Sequence, residues 1–245
     1  MLSFDKLLQN LSLGVFSNLA IGSDGAGFIQ EDSRAKIGLY TNEALTELYG
    51  QFILSEKSFD LLTFAEKGEY VINSTNSFIG SGLVYDPTVL DPNGPNIIDS
   101  EDKPFKDDVI KILSIDTPRG YKLPINDPEN GCSAFSPHSE LLRFNAPVEG
   151  EVLTVRYQAN HAEIIVGKCG GYDDQTVDLP KVLHDALYSY IAYKVFTSMN
   201  TPENTAKARE HLQLYTQILA KVVNKDLVSE STVFTHDKFE NGGWV

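Results

Sequence analysis

An α+β fold, a helical bundle carrying an inserted antiparallel β domain with extended loops and arms, follows from three observations on the sequence. Two long segments near the C-terminal end carry apolar residues at helical period. A third such segment lies near the start. Between them runs a stretch of short β-like segments separated by proline- and glycine-rich turns. In residues 179–228, Leu183, Ala186, Leu187, Tyr190, Ile191, Lys194 and Val195 recur at helical spacing, with Lys194 the single polar member. Pro180 suits the first helical position, and Thr201 before Pro202 suits the cap of a second helix. Ala208, Leu212, Tyr215, Leu219 and Val222 then form a narrow heptad seam, so two helices over 180–199 and 202–225 should lie antiparallel.

Taken from its start, the chain opens with a segment over 1–72 holding an arm, a core helix and a hairpin. The apolar run Leu7 to Leu19 and the turn-rich Ile21 to Gly27 suggest an arm or entry loop. From Asp32 and Ser33 a helix extends to about Leu54, with Ile37, Ala44, Leu45, Leu48 and Phe52 on one face. Two short strands follow around Glu66-Lys-Gly68, one through Phe59, Leu61 and Thr63 and one over Glu69 to Ile72, with the character of a hairpin. Residues 73–106 hold Pro87, Pro92, Pro95 and Pro104 among many Asn, Ser, Gly and Asp, and predict an extended loop of the kind that a partner orders. An antiparallel β region over 107–178 should contain strands at Val109 to Ile115, Tyr121 to Ile125, Glu140 to Phe144, Val152 to Tyr157 and Ala162 to Val166. The expected bundle core includes Leu45, Leu48, Leu187, Ile191, Leu212 and Leu219.

Composition narrows the function classes. The 245 residues are 42% hydrophobic, enough for a substantial core, and the formal net charge of -14 would repel nucleic-acid phosphates. A signal peptide, a membrane span and a disulfide framework are not expected, since the first residues lack a basic lead-in and Cys132 and Cys169 are too few. The sequons at Asn10 and Asn73 carry no weight without a secretory route.

No motif points to catalysis or to a cofactor. Gly22, Gly25 and Gly27 lack the order of a dinucleotide fingerprint and the Lys-Ser/Thr of a phosphate loop. Asp91-Pro-Asn93-Gly94 imitates part of a calcium loop, but Val89 and Ser100 stand at ligand positions, so a turn explains it better. Cys132, Cys169, His138 and His161 lack metal-ligand spacing, and neither a metal nor an enzyme activity is assigned. Tyr188, Tyr190 and Tyr193 on one helix suit core and interface positions better than a ligand box. The tail over 229–245 is polar yet carries Phe234, Phe239 and Trp244, which suggests an attachment arm docking on a partner through those aromatics, the alternative being a tail simply packed on its own chain.

The order of features resembles the head-to-tail adaptor (connector) proteins of short-tailed bacteriophages. The likeness runs from Leu7-Leu8-Gln-Asn-Leu11 through Thr41-Asn42-Glu43-Ala44-Leu45-Thr-Glu-Leu48-Tyr49-Gly-Gln-Phe52 and Val109-Ile-Lys-Ile-Leu-Ser-Ile115. It continues at Leu123-Pro-Ile-Asn126, Val155-Arg-Tyr-Gln-Ala159 and Leu179-Pro180, and ends with Ala186-Leu-Tyr-Ser-Tyr-Ile-Ala-Tyr-Lys194 and the helix of Tyr215. Residues 73–106 have no counterpart in it. What the resemblance implies is a virion protein made in the host cytoplasm. It would form a homo-oligomeric ring, typically a dodecamer, seated between the portal and the tail or nozzle proteins, with double-stranded DNA passing through its centre. The competing expectations are a stand-alone binding module for carbohydrate or protein, built on the β region, and an enzyme whose site the sequence does not display.

Overall fold

The computed structural model describes residues 2–17, 29, 31–79, 91–99, 104–165 and 175–228. In chain order, β1 (Leu2–Ser3) and α1 (Phe4–Leu13) precede the long α2 (Glu31–Gln51). The strands β2 (Glu56–Leu62), β3 (Glu69–Val71), β4 (Ser77–Ile79), β5 (Ile97–Asp99) and β6 (Val109–Asp116) follow. Next come β7 (Lys122–Leu123), β8 (Ala134–His138), β9 (Leu141–Phe144), β10 (Val152–Ala159) and β11 (Thr176–Val177). Two helices, α3 (His184–Ser198) and α4 (Pro202–Asn224), complete the order. The fold is α+β, and it divides into two compact units: one combines Met1–Leu54 with His161–Val245, and the other is Ser55–Asn160.

In the helical unit, helix α1 forms where an arm or entry loop is expected. The Ser3 side chain caps it by accepting from the Lys6 N–H at 3.3 Å, and Phe4, Leu7, Leu8 and Leu11 are buried along one face. Gly14 ends it: a Cβ there would lie 2.8 Å from the Asn10 carbonyl oxygen, too close for any side chain. Ten residues give too few turns for the period to stand out, which is why the helix escapes a reading of the sequence.

The α2 stripe is buried as the spacing predicts, with Ile37, Ala44, Leu45, Leu48 and Phe52 each at 1% exposure or less. Helices α3 and α4 pack against each other, and their aromatic pairs place the two antiparallel. Tyr190 meets Tyr215 at 5.3 Å between ring centroids, and Phe196 stacks on His211 at 5.3 Å. The link between them uses Asn200 at φ +49, a left-handed position that asparagine tolerates, and the Thr201 hydroxyl accepts from Asn204 N–H. Pro180 does not start α3 itself but caps a 3-10 turn over Lys181–Leu183 that leads into it. Leu183, Ala186, Leu187, Ile191 and Val195 are buried, whereas Leu212, expected in the core, is 39% exposed. The α4 seam is Ala208, Tyr215, Leu219 and Val222. On the turn between Ala208 and Tyr215, His211 faces α3 by stacking on Phe196, so Leu212, one residue further round the helix, is turned out.

Residues 162–165 do not form the strand expected over Ala162 to Val166, whose last residue lies outside the described residues. Side-chain amides satisfy this backbone instead. Asn42 Nδ2 donates to the Ile164 carbonyl and Asn42 Oδ1 accepts the Ile164 N–H, both at 2.9 Å. Gln175 does the same for Ile165, at 2.8 and 2.9 Å. Nearby, the Tyr49 hydroxyl donates to the Asp178 carbonyl at 2.5 Å, and β1 pairs with β11 through Leu2 and Val177.

In the β unit, a six-stranded sheet runs in the order β4-β5-β2-β10-β6-β7, and a three-stranded sheet in the order β3-β9-β8. All pairings between these strands are antiparallel except β4 with β5, which is parallel. Inward residues of both sheets, among them Phe59, Leu61, Leu153, Val155 and Tyr157 from one and Tyr70, Leu142 and Phe144 from the other, share one core. The chain enters and leaves side by side, with the Ala159 N–H donating to the Ser55 carbonyl at 2.9 Å.

Four expectations change here. The hairpin around Glu66-Lys-Gly68 does not form: β2 pairs with β10 and β5, β3 pairs with β9, and the Tyr70 hydroxyl accepts the Phe64 N–H at 2.8 Å inside the intervening turn. The segment 73–106 is not loop throughout, since it supplies a 3-10 turn at Ser74–Asn76 together with β4 and β5; residues 80–90 and 100–103 lie outside the described residues. Strand β8 appears where only turn chemistry was legible, because Pro137 falls inside the register shift between Phe135 and His138 on an edge strand, where a missing N–H is tolerated. The unit boundaries fall at 54/55 and 160/161, so β2, β3 and the segment 73–106 belong with the strands after 107.

Leu187 is wholly buried, so Leu187→Ala should cost on the order of 2 to 5 kcal/mol in a denaturant titration. A change within experimental error would remove the face assignment for α3. Burial and the neighbouring Asp178 push the Tyr49 phenol up to about 12. A group raised in the folded state contributes stability below its unfolded value, near 10 for tyrosine, and loses it as pH rises through the folded one. The chain should therefore lose stability between roughly pH 10 and pH 12, and Tyr49→Phe should flatten that slope in alkaline unfolding curves.

Candidate interaction surface

The three aromatics expected to anchor a partner, Phe234, Phe239 and Trp244, lie outside the described residues. What is described is the helix that delivers them. Helix α4 is 23 residues long yet buries only Ala208, Tyr215, Leu219 and Val222, so most of its circumference is exposed or half-exposed. Its end is a Schellman turn: Asp226 takes φ +49, its N–H donates to Val223 O at 2.9 Å, and the Leu227 N–H donates to Val222 O at 3.1 Å. Leu227 is 49% exposed beyond that turn.

One flank of α4 combines charge with apolar surface. Lys207, Leu214, Ile218, Lys221 and Lys225 follow one another by steps of 7, 4, 3 and 4 residues, which places them on one stripe. Leu214 is 45% exposed, Ile218 is half-buried, and Lys221 and Lys225 are exposed. Lys207 pairs with Glu203 at 2.8 Å and stands over the Phe196 ring. Heptad spacing carries this stripe in the sequence, but the buried seam beside it drew attention first.

The tyrosines of α3 are structural, as their spacing suggested. The Tyr188 hydroxyl accepts from Asn10 Nδ2 at 2.8 Å, tying α3 to α1. Tyr190 touches both Tyr193 and Tyr215 edge to face. The Lys194 ammonium lies over the Tyr190 and Tyr193 rings and pairs with Glu43 at 2.8 Å, so the single polar member of the α3 stripe links α3 to α2. The Tyr215 hydroxyl is buried with no hydrogen-bond partner among the described residues, and burial first, then Glu47, pushes its phenol up.

In the β unit the charged groups are likewise engaged. Asp108 accepts from Lys57 at 2.5 Å and from the Tyr157 hydroxyl at 3.1 Å; burial and this carboxylate together push the Tyr157 phenol up. Asp91-Pro-Asn93-Gly94 is a turn, with Asp91 accepting the Asn93 N–H at 2.8 Å and the Gly94 N–H donating to the Asp91 carbonyl at 2.8 Å. The Lys67 ammonium closes it by donating to the Pro92 carbonyl at 2.7 Å and to the Asn96 side chain.

Among the described residues no group of three or more His, Cys, Asp or Glu is placed to hold a metal. Cys132 is exposed, His138 accepts the Glu140 N–H, His161 contacts Thr46 and the Tyr49 ring, and Cys169 lies outside the described residues. No described helix is long and apolar enough to cross a membrane. Compared with known proteins, the chain matches no family model and no curated protein.

Because a buried hydroxyl without a partner keeps its desolvation cost, Tyr215→Phe should leave the thermal midpoint unchanged or raise it slightly. A loss above about 1 kcal/mol would mean that the hydroxyl is hydrogen-bonded after all.

Proposed function

We propose that this chain is a structural adaptor of a virion, forming a homo-oligomeric ring between the portal and the tail proteins and lining the passage of the DNA. The observation that carries the reading is the sequence resemblance, which follows α2, β6, β10, α3 and α4 in order. Two features support it. An α4 that buries only one narrow seam leaves a long helical surface for a neighbouring subunit or protein. A net charge of -14 keeps passing phosphates from being gripped.

In this reading the ring is a dodecamer, the portal and nozzle proteins are its partners, and 229–245 is the attachment arm with Phe234, Phe239 and Trp244 as its anchors. A binding module remains the second reading, favoured by the β unit's own two-sheet core.

Mass measurement and negative-stain imaging separate the two. An adaptor should form rings alone or on a portal, and deleting 229–245 should weaken its incorporation while leaving the subunit's thermal midpoint within about a degree or two of the full chain. A persistent monomer that ignores portal and tail proteins and binds a glycan would overturn the proposal in favour of the module.

A further inference from the structure

Beyond the adaptor reading, and independently of it, we infer that Asn130 is a site of spontaneous covalent modification in the folded chain. Its side-chain amide closes on the Gly131 nitrogen to a succinimide, which water opens to aspartate and isoaspartate, whereas Asn93 keeps its amide. Both residues precede glycine, and they form the two Asn-Gly pairs among the described residues; a third pair, Asn241-Gly242, lies outside them. Glycine after asparagine leaves the backbone nitrogen open to attack on the side chain, because no Cβ stands beside it. Sequence therefore makes Asn93 and Asn130 equivalent, and the fold separates them.

At Asn93 the attacking nitrogen is engaged. The Gly94 N–H donates to the Asp91 carbonyl at 2.8 Å, and the Asn93 N–H donates to the Asp91 carboxylate at 2.8 Å. Lys67 holds the same turn through the Pro92 carbonyl at 2.7 Å. Turning the Gly94 nitrogen onto the Asn93 side chain would break its hydrogen bond, which for an ordinary amide slows attack by up to about tenfold.

At Asn130 the nitrogen is free. The Gly131 N–H has no hydrogen-bond partner among the described residues, Asn130 and Gly131 are both exposed, and a Cβ on Gly131 would meet nothing within 4 Å. The Asn130 side-chain oxygen accepts the Cys132 N–H at 3.0 Å. A donor at that oxygen stabilises the negative charge it takes on when nitrogen adds to Cγ. The Asn130 carbonyl accepts the Ser133 N–H at 3.0 Å, so the turn is held while Gly131 stays open.

In the reaction the Gly131 nitrogen gives its proton to hydroxide and bonds to Cγ; the Cγ–Nδ2 bond breaks, and ammonia leaves with a proton taken from water. Water then adds to either ring carbonyl. Addition at Cγ restores the main chain and leaves aspartate, whereas addition at the backbone carbonyl routes the main chain through Cγ as isoaspartate. Either product adds a negative charge beside Asp127 and Glu129. Isoaspartate also lengthens the chain by one carbon and displaces the acceptors of Cys132 and Ser133. Ser133 is 1% exposed, takes the Asp127 N–H on its Oγ and leads directly into β8, so the modification loosens the start of that strand.

The test follows the full-length folded chain during incubation at mildly alkaline pH, by tandem mass spectrometry of its tryptic peptides. The peptide from Leu123 to Arg143 should gain one mass unit at Asn130 and resolve into two products of equal mass, isoaspartyl and aspartyl, at a rate that rises with hydroxide concentration. Asn93 should convert more slowly in the same sample, by up to about tenfold, and the two rates should converge in urea, where the hydrogen bonds of both turns are gone. Gly131→Ala should suppress the conversion, because its methyl crowds the nitrogen; the backbone there has no positive φ and the site is open, so the variant folds. Equal rates at Asn93 and Asn130 in the folded chain overturn the inference, as do conversion of Asn130 in urea alone and conversion that Gly131→Ala leaves unchanged. Ring formation is read by none of these measurements, so the adaptor reading stands or falls separately.

Discussion

The bundle must close across an insertion, and the side chains that close it are two amides. The chain leaves the helical unit after Leu54 and returns at His161, so α3 and α4 meet α2 only if the returning strand of chain is seated correctly. Asn42 on α2 takes both backbone hydrogen bonds of Ile164, and Gln175 takes both of Ile165. Each amide supplies one donor and one acceptor in the spacing of a peptide group, so it replaces a neighbouring strand where there is none. Tyr49 then holds Asp178, and Val177 pairs with Leu2, which brings the N-terminal helix α1 under the same core.

Because that closure leaves the insertion to hold itself together, the β unit has a core of its own. Strand β10 sits between β2 and β6 and contributes Leu153, Val155, Tyr157 and Ala159 to it, all but buried. The smaller sheet packs onto the same core through Tyr70, Leu142 and Phe144. Charges at its periphery are paired by groups close at hand, as with Lys57, Asp108 and Tyr157, and such pairs position loops more than they stabilise the fold.

Helix α4 differs from the other helices in how little of it the core uses. Its seam is satisfied by α3, and its C-terminus closes in a Schellman turn at Asp226. A surface of this kind, with lysines beside half-exposed leucine and isoleucine, is what the proposed assembly would use.

Amino-acid pattern alone determined the α+β class, the faces of α2 and α3, and strands β6, β9 and β10, since each of these buries a periodic set that needs no distant partner to be recognised. Ile37, Leu45, Leu48, Leu187 and Ile191 are all buried where their spacing puts them. Tertiary structure decided the rest. Strand partners depend on segments far apart in sequence, so the hairpin suggested by Glu66-Lys-Gly68 gave way to pairings of β2 with β10 and of β3 with β9. Leu212 was displaced from the core because the stacking of His211 on Phe196 selects which residue of that turn faces α3, a choice made by the neighbouring helix and invisible in a heptad count. The strand expected over Ala162 to Val166 was replaced, over its described residues, by amide contacts from Asn42 and Gln175, because backbone groups accept any well-placed donor and acceptor and the sequence does not say which side chain will arrive.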